Sequence, residues 1–184
     1  NSPMAVVPIL TTPNDILHKP AEKIREFDAE TKKLITDLLD TLRDAKDPEG
    51  AGLAAPQIGV LKRALIARRF YRDPDNPEIE LSKEYVFVNP KIISASEELV
   101  SGMEACLSIP DTYGLVERPK KIKVKALDEH GEVVRKTLTG FMARIVQHEI
   151  DHLDGILFTD KLVDGKTYTE QELDAMYSEN AEEL

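Results

Sequence analysis

The sequence predicts an α+β fold in which antiparallel β-sheets pack around a central helix that carries a His-Glu-x-x-His motif. Three observations support this prediction. Strand-like segments cluster together instead of alternating one by one with helices, so the pattern of a parallel sheet is missing. Segments 121–127 and 133–138 flank the turn Asp128–Gly131 and should pair as a hairpin. The helical segment 141–153 is apolar on most faces, as expected of a buried helix.

Length and composition indicate one globular domain spanning residues 1–184. Apolar residues make up 41% of the chain and charged residues 32%, which is ordinary for a soluble protein with a hydrophobic core. Residues Asn1–Pro3 resemble a tag remnant ahead of a natural initiator at Met4, and residues 163–184 are expected to form a C-terminal extension or helix. No apolar run approaches the roughly 18 residues that a membrane helix needs, and no secretory signal is recognised.

Charge and cysteine content narrow the classes of partner and the cellular compartment. The formal net charge of −10 disfavours binding to nucleic acids and to anionic membrane surfaces. The single cysteine, Cys106, cannot form an intramolecular disulfide, so a reducing compartment fits and the cytoplasm is the expected location. A lone cysteine is usually a small buried apolar residue; the alternatives are a nucleophile and a metal ligand.

The N-terminal part of the chain is predicted to contain a helix followed by a short strand. Leucines and isoleucines recur at helical spacing from Asp28 to Ala45, and the breaker cluster Asp47–Gly50 ends this helix. A compact loop, Gly50–Gln57, follows, and Ala64–Ala67 is a strand. The polar, proline-containing segment Phe70–Ser82 is predicted to be a surface loop.

Further strands and a terminal helix are predicted along the rest of the chain. Tyr85–Val88 is a strand that ends at Asn89-Pro90, and Ile92–Val100 is a second strand. A terminal helix is predicted from Thr169 to about Tyr177, because Thr169 is a good N-cap and Glu172 follows three residues later.

The pattern His148-Glu149-Ile150-Asp151-His152 lies within the central helix. Its four-residue step places the two imidazoles on one face, about one turn apart, where both can bind one metal ion. Glu149 is turned about 100° from His148 and could exchange a proton with a water molecule at the metal. A chance match on a polar helix face is the alternative. The flanking apolar residues argue against it, because a buried helix would not carry these polar groups without partners.

A site with two histidines needs a third protein ligand. Downstream of the motif the chain offers Asp154 and Asp160 but no histidine. The remaining histidines, His18 and His130, are expected at the surface. Cys106 is the upstream candidate, since a thiolate is a good ligand for a borderline-soft divalent ion.

Three segments together resemble the motifs of the peptide deformylase family. Gly50–Gln57 matches Gly-x-Gly-Leu-Ala-Ala-x-Gln, and Gln147–Leu153 matches Gln-His-Glu-x-Asp-His-Leu. Glu104–Ser108 matches Glu-Gly-Cys-x-Ser, except that Ala105 replaces the glycine. The order and spacing are those of the family, and the resemblance covers about Met4 to Leu162. It implies an α+β fold of antiparallel sheets around the motif-bearing helix.

By this resemblance, the chain is a metal-dependent hydrolase that removes the formyl group from the N-terminal methionine of new proteins, giving formate and a free amino terminus. One divalent ion is implied, natively ferrous iron, with zinc, nickel or cobalt as ions that a purified sample could hold. The implied partners are N-formyl-methionyl peptides and nascent chains, with the ribosome surface as a further candidate.

The resemblance also implies roles for individual residues. The implied metal ligands, with water as the fourth, are Cys106, His148 and His152. Glu149 is implied as the general base and then the general acid. The implied oxyanion donors are Gln57 and the backbone N–H of Leu107. The positions that contact the substrate backbone are Ala51 and Gly52. Without the resemblance, Gln57 would be interpreted as a surface residue.

The roles of some residues near the motif are left open by the sequence. Asp151 could orient a histidine, accept a hydrogen bond from Arg118, or be an ordinary exposed aspartate. Arg144 could line the mouth of the pocket or reach solvent. The basic run Arg118–Lys121 is predicted to be a solvated strand entry. The core candidates, of which one or two could line a pocket for methionine, are Phe141, Met142 and Ile145.

Two rival functions and one substitution also remain open. A zinc endopeptidase uses the same His-Glu-x-x-His motif, but the upstream cysteine and the short chain argue against it. A non-enzymatic binding module with this fold is favoured only by Ala105. Because Cys106–Ile109 is predicted to be extended, Ala105 should be unstrained, and its methyl group should narrow the substrate cleft.

Overall fold

Helix α2, Gly140–Leu153, packs on one face of a five-stranded antiparallel sheet, so the predicted α+β fold is confirmed. The computed structural model describes residues 5–46 and 48–183, without the side chains of residues 180–183. The expected tag remnant and Met4 lie outside the described residues. Within these ranges, no helix has the length and apolar character that a membrane span requires.

Two sheets are present in the described residues, and all their strand pairs are antiparallel. In chain order, the strands are β1 Gly52–Ala54, β2 Ala64–Arg72, β3 Glu80–Ala95, β4 Leu99–Cys106, β5 Ile109–Pro119, β6 Lys121–Leu127 and β7 Val133–Thr139. The large sheet has the order β1-β2-β3-β6-β7, and β4 pairs with β5 in a separate sheet. The predicted β6–β7 hairpin is confirmed, with Leu127 opposite Val133.

Alternating side chains give the large sheet a hydrophobic core on each face. On β6, Ile122, Val124 and Ala126 are buried on the face that packs against α2, while the intervening lysines are exposed. Helix α1, Ala29–Asp44, covers the other face and buries a leucine-rich stripe there. Because α2 also contacts β5, it joins the large sheet to the small one.

The predicted helices are confirmed: the ends of α1 and α2 differ from the prediction by at most one residue, whereas the terminal helix continues six residues beyond the predicted Tyr177. Helix α1 begins after Asp28, whose carboxylate accepts a hydrogen bond from the N–H of Thr31 at 3.0 Å. A third helix, α3, spans Glu170–Glu183 and begins at the predicted cap. There, Thr169 Oγ1 accepts a hydrogen bond from the N–H of Glu172 at 3.1 Å.

The prediction of a surface loop at Phe70–Ser82 is wrong over much of its length. Strand β2 continues to Arg72 and β3 begins at Glu80, and the two strands pair residue by residue up to that point. Most side chains of these arms are exposed, so polar residues occupy strand positions that would be apolar in a buried strand. The connecting loop is confined to residues 73–79.

Asn89 and Pro90 do not end β3, contrary to the prediction. Asn89 has a φ of 50°, a left-handed conformation that asparagine tolerates. Its side chain accepts a hydrogen bond from the N–H of Ile24 at 2.8 Å and donates one to the Ile24 carbonyl at 2.7 Å. The strand bulges after Val88 and then continues. β3 ends at Ala95 and β4 begins at Leu99, so the predicted strand Ile92–Val100 is divided between these two strands.

Candidate active site

The three expected metal ligands converge where β4 meets α2. Cys106 is the last residue of β4, and His148 and His152 lie one turn apart on α2, where they are 5% and 1% exposed. The ligand atoms of the three residues all lie within 4.8 Å of one another, and Cys106 Sγ is 3.2 Å from His152 Nε2. A thiolate and two imidazoles this close together could hold one divalent ion.

A tight turn after β4 fixes the position of Cys106. Cys106 pairs with Ile109, and the two residues between them, Leu107 and Ser108, form the turn into β5. The predicted extended conformation is therefore wrong at these two residues. Ala105 lies in β4 without a positive φ angle, as predicted, and its exposed side chain lines the cleft.

His148 has a carboxylate partner that sequence reasoning missed. Its Nδ1 is 2.8 Å from Oε1 of Glu104, an arrangement that leaves Nε2 for a metal ion. Glu104 precedes Cys106 by two residues on the same strand, and a two-residue step places side chains on one face of a strand. That spacing was the available signal for this role.

Glu104 is the centre of a buried ionic network. Arg118 donates two hydrogen bonds to it, at 2.6 and 2.8 Å, and a third to Asp151 at 2.8 Å. Arg144 donates to Glu104 at 2.6 Å. Burial alone would raise the pKa of Glu104, but Arg118 and His148 outweigh that effect and hold the pKa at about 2. Glu104 is therefore an anion that faces His148.

The hydrogen bonds of this network distinguish between the roles that the sequence left open for Asp151 and Arg144. Asp151 accepts a hydrogen bond from Arg118, which was one of its predicted alternatives. Arg118 is only 3% exposed, so the prediction of a solvated basic run is wrong at its first residue. Arg144 lines the cleft, as one alternative predicted, with its guanidinium held by Glu104.

Glu149 lies beside the two histidines and is 3% exposed. Burial raises the pKa of its carboxyl to about 7; the charge of His148 opposes the shift and the charge of Glu104 adds to it. Among the described residues, Oε1 of Glu149 and Nδ1 of His152 are buried without hydrogen-bond partners. Buried polar atoms are ordinarily satisfied by protein, water or an ion, so the unpartnered Oε1 of Glu149 fits a pocket that holds a hydrated metal ion.

Gln57 is buried, which excludes the alternative of a surface glutamine. The predicted loop around it contains β1 and a 3₁₀ turn, Ala55–Ile58. Its Oε1 accepts a hydrogen bond from the N–H of Ala54 at 2.9 Å, and its Nε2 donates one to Ser108 Oγ at 3.0 Å. The same Nε2 is 3.6 Å from Cys106 Sγ. The amide is thus oriented with its donor toward the cysteine.

A single cleft connects the residues predicted to act on a substrate. Its lining includes Glu149, Gln57, Leu107, Ala51 and Gly52. A β-carbon at Gly52 would lie 2.5 Å from Oε2 of Glu149, so only glycine leaves this carboxylate its place. The structure therefore gives Gly52 a close contact with Glu149.

Apolar side chains form another part of the cleft wall. Leu107, Ile109, Phe141 and Ile145 line it. Phe141 is 54% exposed, so its predicted core position is wrong. Ile145 and Met142 do pack against the core, and Ile145 also faces the cleft. The wall offers an apolar surface suited to an apolar side chain of a ligand.

Comparison with known proteins gives one consistent family. The family model for polypeptide deformylase matches residues 6–168. Peptide deformylase 1 of Bacillus subtilis (strain 168) is 45% identical over 170 residues, which cover 92% of this chain and 97% of the relative. The peptide deformylase of Thermomicrobium roseum is 46% identical over 166 residues, which cover 89% and 90%.

Solved structures agree with the sequence relatives. The Met-Ala-Ser-bound crystal structure of class I type b peptide deformylase from Acinetobacter baumannii matches with a TM-score of 0.76 and 37% identity, over 87% of this chain and 100% of that chain. The peptide deformylase from Ehrlichia chaffeensis matches with a TM-score of 0.76 and 32% identity, over 97% of each chain. The family model, the sequence relatives and the solved structures all match nearly the whole chain. This chain therefore belongs to the peptide deformylase family, a family of metal-dependent hydrolases.

Proposed function

We propose that this chain hydrolyses the formyl group from the N-terminal methionine of newly made proteins and releases formate and a free amino terminus. One observation carries the proposal: Cys106, His148 and His152 converge beside a buried carboxylate, Glu149, in one cleft. This is the set of groups that a hydrolytic metal site needs.

The proposed substrates are N-formyl-methionyl peptides and nascent chains. The structure from Acinetobacter baumannii holds Met-Ala-Ser, the peptide that deformylation of formyl-Met-Ala-Ser would leave. In this chain, the apolar wall formed by Leu107, Phe141 and Ile145 supports binding of a methionine side chain. Ala51 and Gly52, which line the same cleft, would contact the substrate backbone.

We assign the metal to Cys106, His148 and His152. A divalent ion held there would supply Lewis-acid activation of water and of the formyl carbonyl. Glu104 keeps Nδ1 of His148 engaged and so presents Nε2 to the ion. Ferrous iron is the proposed native ion, and zinc, nickel and cobalt suit the same donors.

The remaining chemistry falls to protein groups. Glu149 takes a proton from the attacking water and delivers it to the nitrogen of the leaving amine. The amide of Gln57 and the backbone N–H of Leu107 donate hydrogen bonds to the formyl oxygen as it gains negative charge. The hydrogen bonds of Gln57 to Ala54 and Ser108 orient its amide before substrate binds.

Location and further partners follow from the same chemistry. The cytoplasm is the proposed compartment, because Cys106 must stay reduced to act as a thiolate ligand. Nascent chains carry the formyl group, so the ribosome surface is a proposed place of encounter.

The test is hydrolysis of two matched peptides by metal-replete protein. We expect formate from formyl-Met-Ala-Ser and no reaction with Met-Ala-Ser. Cleavage of a peptide bond in either peptide would favour the endopeptidase. Absence of formate from a metal-replete sample would favour a non-enzymatic binding module.

A further inference from the structure

A second cavity lies on the face of the large sheet that packs against α2. Its volume is about 310 Å³, and it shares no lining residue with the cleft that holds Glu149. Phe87, Leu138 and Met142 give it an apolar part, and the rest of its lining is polar or cationic. A cavity of this volume is at the small end of ligand pockets. The proposed deformylase chemistry makes no use of it.

Cations from three strands surround this cavity. Arg69 of β2 and Lys136 of β7 line it. Lys83 of β3 lies directly opposite Arg69 in the pairing of β2 with β3. The ammonium groups of Lys83 and Lys136 lie 5.1 and 4.6 Å from the centroid of one ring, that of Tyr85, which also lines the cavity. Three positive charges are therefore gathered in one place.

These charges are not compensated within the part of the chain that the structure describes. The cavity lining contains no Asp or Glu there, and none of the three cations forms a salt bridge. Like charges directly opposite each other on paired strands are destabilising, and a cation–π contact near the surface offsets only a small part of that cost. An anion bound in the cavity would neutralise these charges.

A role in solubility alone does not account for Lys136. Lysines on an edge strand such as β7 commonly prevent pairing with other chains, and they extend into solvent. Lys136 is instead half-buried and reaches the ring of Tyr85, on a strand with which β7 does not pair. Its position therefore indicates a place in the cavity.

The lining favours a phosphate group among possible anions. Arg69 offers a planar fork of N–H donors and the lysines offer compact charges, and phosphate binds to both kinds of cation. The hydroxyls of Thr137 and Thr139, which also line the cavity, can donate hydrogen bonds. The first turn of α2 has no acidic residue, so the positive end of the helix adds to the same potential.

We propose that this cavity, between β3, β7 and the start of α2, binds a phosphate monoester through Arg69, Lys83 and Lys136. The apolar part of the lining would contact the carbon-containing part of the ligand. A small phosphorylated metabolite and the 5′-phosphate end of an RNA both present this group. The site is separate from the proposed deformylase site, and neither proposal depends on the other.

The test is titration of zinc-loaded protein with ribose 5-phosphate at about pH 8, where a phosphate monoester carries close to two negative charges. Calorimetry should give a Kd on the order of 1 mM or below at low salt, because partly exposed charge pairs are individually weak. Backbone amide chemical shifts should change most at residues 136–142. Acetate, a carboxylate, should bind at least about tenfold more weakly, since it has one charge and fewer acceptor oxygens.

A 5′-phosphorylated RNA trinucleotide separates the two sources of the phosphate group. Binding about tenfold tighter than that of ribose 5-phosphate would identify an RNA end, and equal binding would identify a small metabolite. Both results support a phosphate site. Shifts confined to residues 104–107 and 148–152 would place the ligand at the metal and overturn the proposal.

A triple variant, Arg69→Gln, Lys83→Gln and Lys136→Gln, should bind ribose 5-phosphate at least about tenfold more weakly, because it loses all three charges. Lys136→Gln alone should weaken binding by about threefold, and it serves if the triple variant does not fold. Formate release should stay at the wild-type level in both variants, since these residues lie outside the cleft.

The matched control removes three cations that lie directly opposite one another on β3, β6 and β7. They are exposed on the other face of the sheet and do not line the cavity. The control variant is Lys91→Gln, Lys125→Gln and Arg135→Gln, and it should bind ribose 5-phosphate as wild type does. An equal loss of binding in the control would show attraction to net charge alone and overturn the site. Wild-type binding in the folded triple variant, or equal binding of acetate, would overturn it as well.

Discussion

The contact of 2.8 Å between Glu104 and Nδ1 of His148 selects which imidazole nitrogen is presented to the cleft. Glu104 can do this because Arg118 and Arg144 compensate its buried charge. Removal of either arginine would leave a partly compensated buried carboxylate next to the proposed ligand His148. At the scale of single residues, the site thus depends on side chains that would not touch the metal.

The first prediction concerns the thiolate. Cys106→Ala should lose most of the bound metal, because two imidazoles alone hold a divalent ion more weakly than the complete set. Metal content per chain, measured after purification without oxygen, checks this. The double variant His18→Ala/His130→Ala, at exposed histidines, should keep its metal. A full metal complement in Cys106→Ala would reject the ligand assignment.

The second prediction concerns Ala105. Its methyl group is exposed on the cleft and its backbone is unstrained, so Ala105→Gly should widen the cleft and leave the metal in place. Steady-state deformylation of a small peptide set should show a larger change in KM than in kcat, or a changed preference for the residue after methionine. Identical constants on every peptide, or loss of metal, would contradict this account.

Sequence reasoning found the groups with the strongest spacing signal and missed those that act through them. His148, Glu149 and His152 are recognisable because a helix fixes which residues share a face. Glu104 was missed because a carboxylate on a strand is ordinarily solvent-exposed, and only the tertiary structure brings Arg118 to it. Gln57 could not be placed without the family, because its hydrogen-bond partner Ser108 is distant in the sequence.

At the scale of secondary-structure elements, the position of β1 determines how much space is left for the Glu149 side chain of α2. Gly52 begins β1, and its α-carbon lies against the Glu149 side chain. β1 pairs with β2 through Leu53 and Ile66, so it cannot retreat without loss of sheet hydrogen bonds. A side chain at position 52 would therefore displace Glu149 instead of the strand.

The third prediction follows from this packing. Gly52→Ala should lower kcat by at least about tenfold, since small misplacements of a catalytic group are costly, while the metal stays bound. The control is Gly165→Ala, whose β-carbon meets nothing within 4 Å although its φ is 69°. Both kcat and metal content should be measured. Wild-type kcat in Gly52→Ala would show that Glu149 is free to adjust.

Elements with a local apolar periodicity were predictable from the sequence. Strand segments that are defined only by their pairing with a neighbouring strand were missed. Helix α1 and the β6–β7 hairpin follow from apolar spacing of 3.6 and 2 residues. The arms of β2 and β3 around Arg72 and Glu80 are polar because they extend beyond the core, so no apolar pattern marks them. Asn89 and Pro90 resembled a strand end because a bulge has the same local composition as a turn.

At the scale of the whole molecule, the expected metal ligands come from two different parts of the fold. Cys106 belongs to the small β4–β5 sheet, while His148 and His152 belong to a helix buried on the large sheet. The ionic contact between Arg118 of β5 and Asp151 of α2 spans the same junction. A bound ion would therefore tie the small sheet to the core.

The fourth prediction is a thermal effect of metal. A ligand that binds only the folded state at about 100 times its Kd adds about 2.7 kcal/mol. In a chain of this length that corresponds to a rise in Tm on the order of 5–10 °C. Scanning calorimetry of holo and chelator-treated protein measures the difference. The Tm of Cys106→Ala should change little when metal is added. Equal Tm values for holo and apo wild type would contradict the proposal that the metal links the small sheet to the core.

The central claim is that Cys106, His148 and His152 hold the metal while Glu149 moves the proton. The most direct measurement is metal content and formate release, made on the same samples of wild type and Glu149→Ala. We expect equal metal in both proteins and a loss of at least about 100-fold in formate release from formyl-Met-Ala-Ser in the variant, the low end for removal of a general base. Substantial deformylation by metal-replete Glu149→Ala, or loss of its metal, would contradict the account.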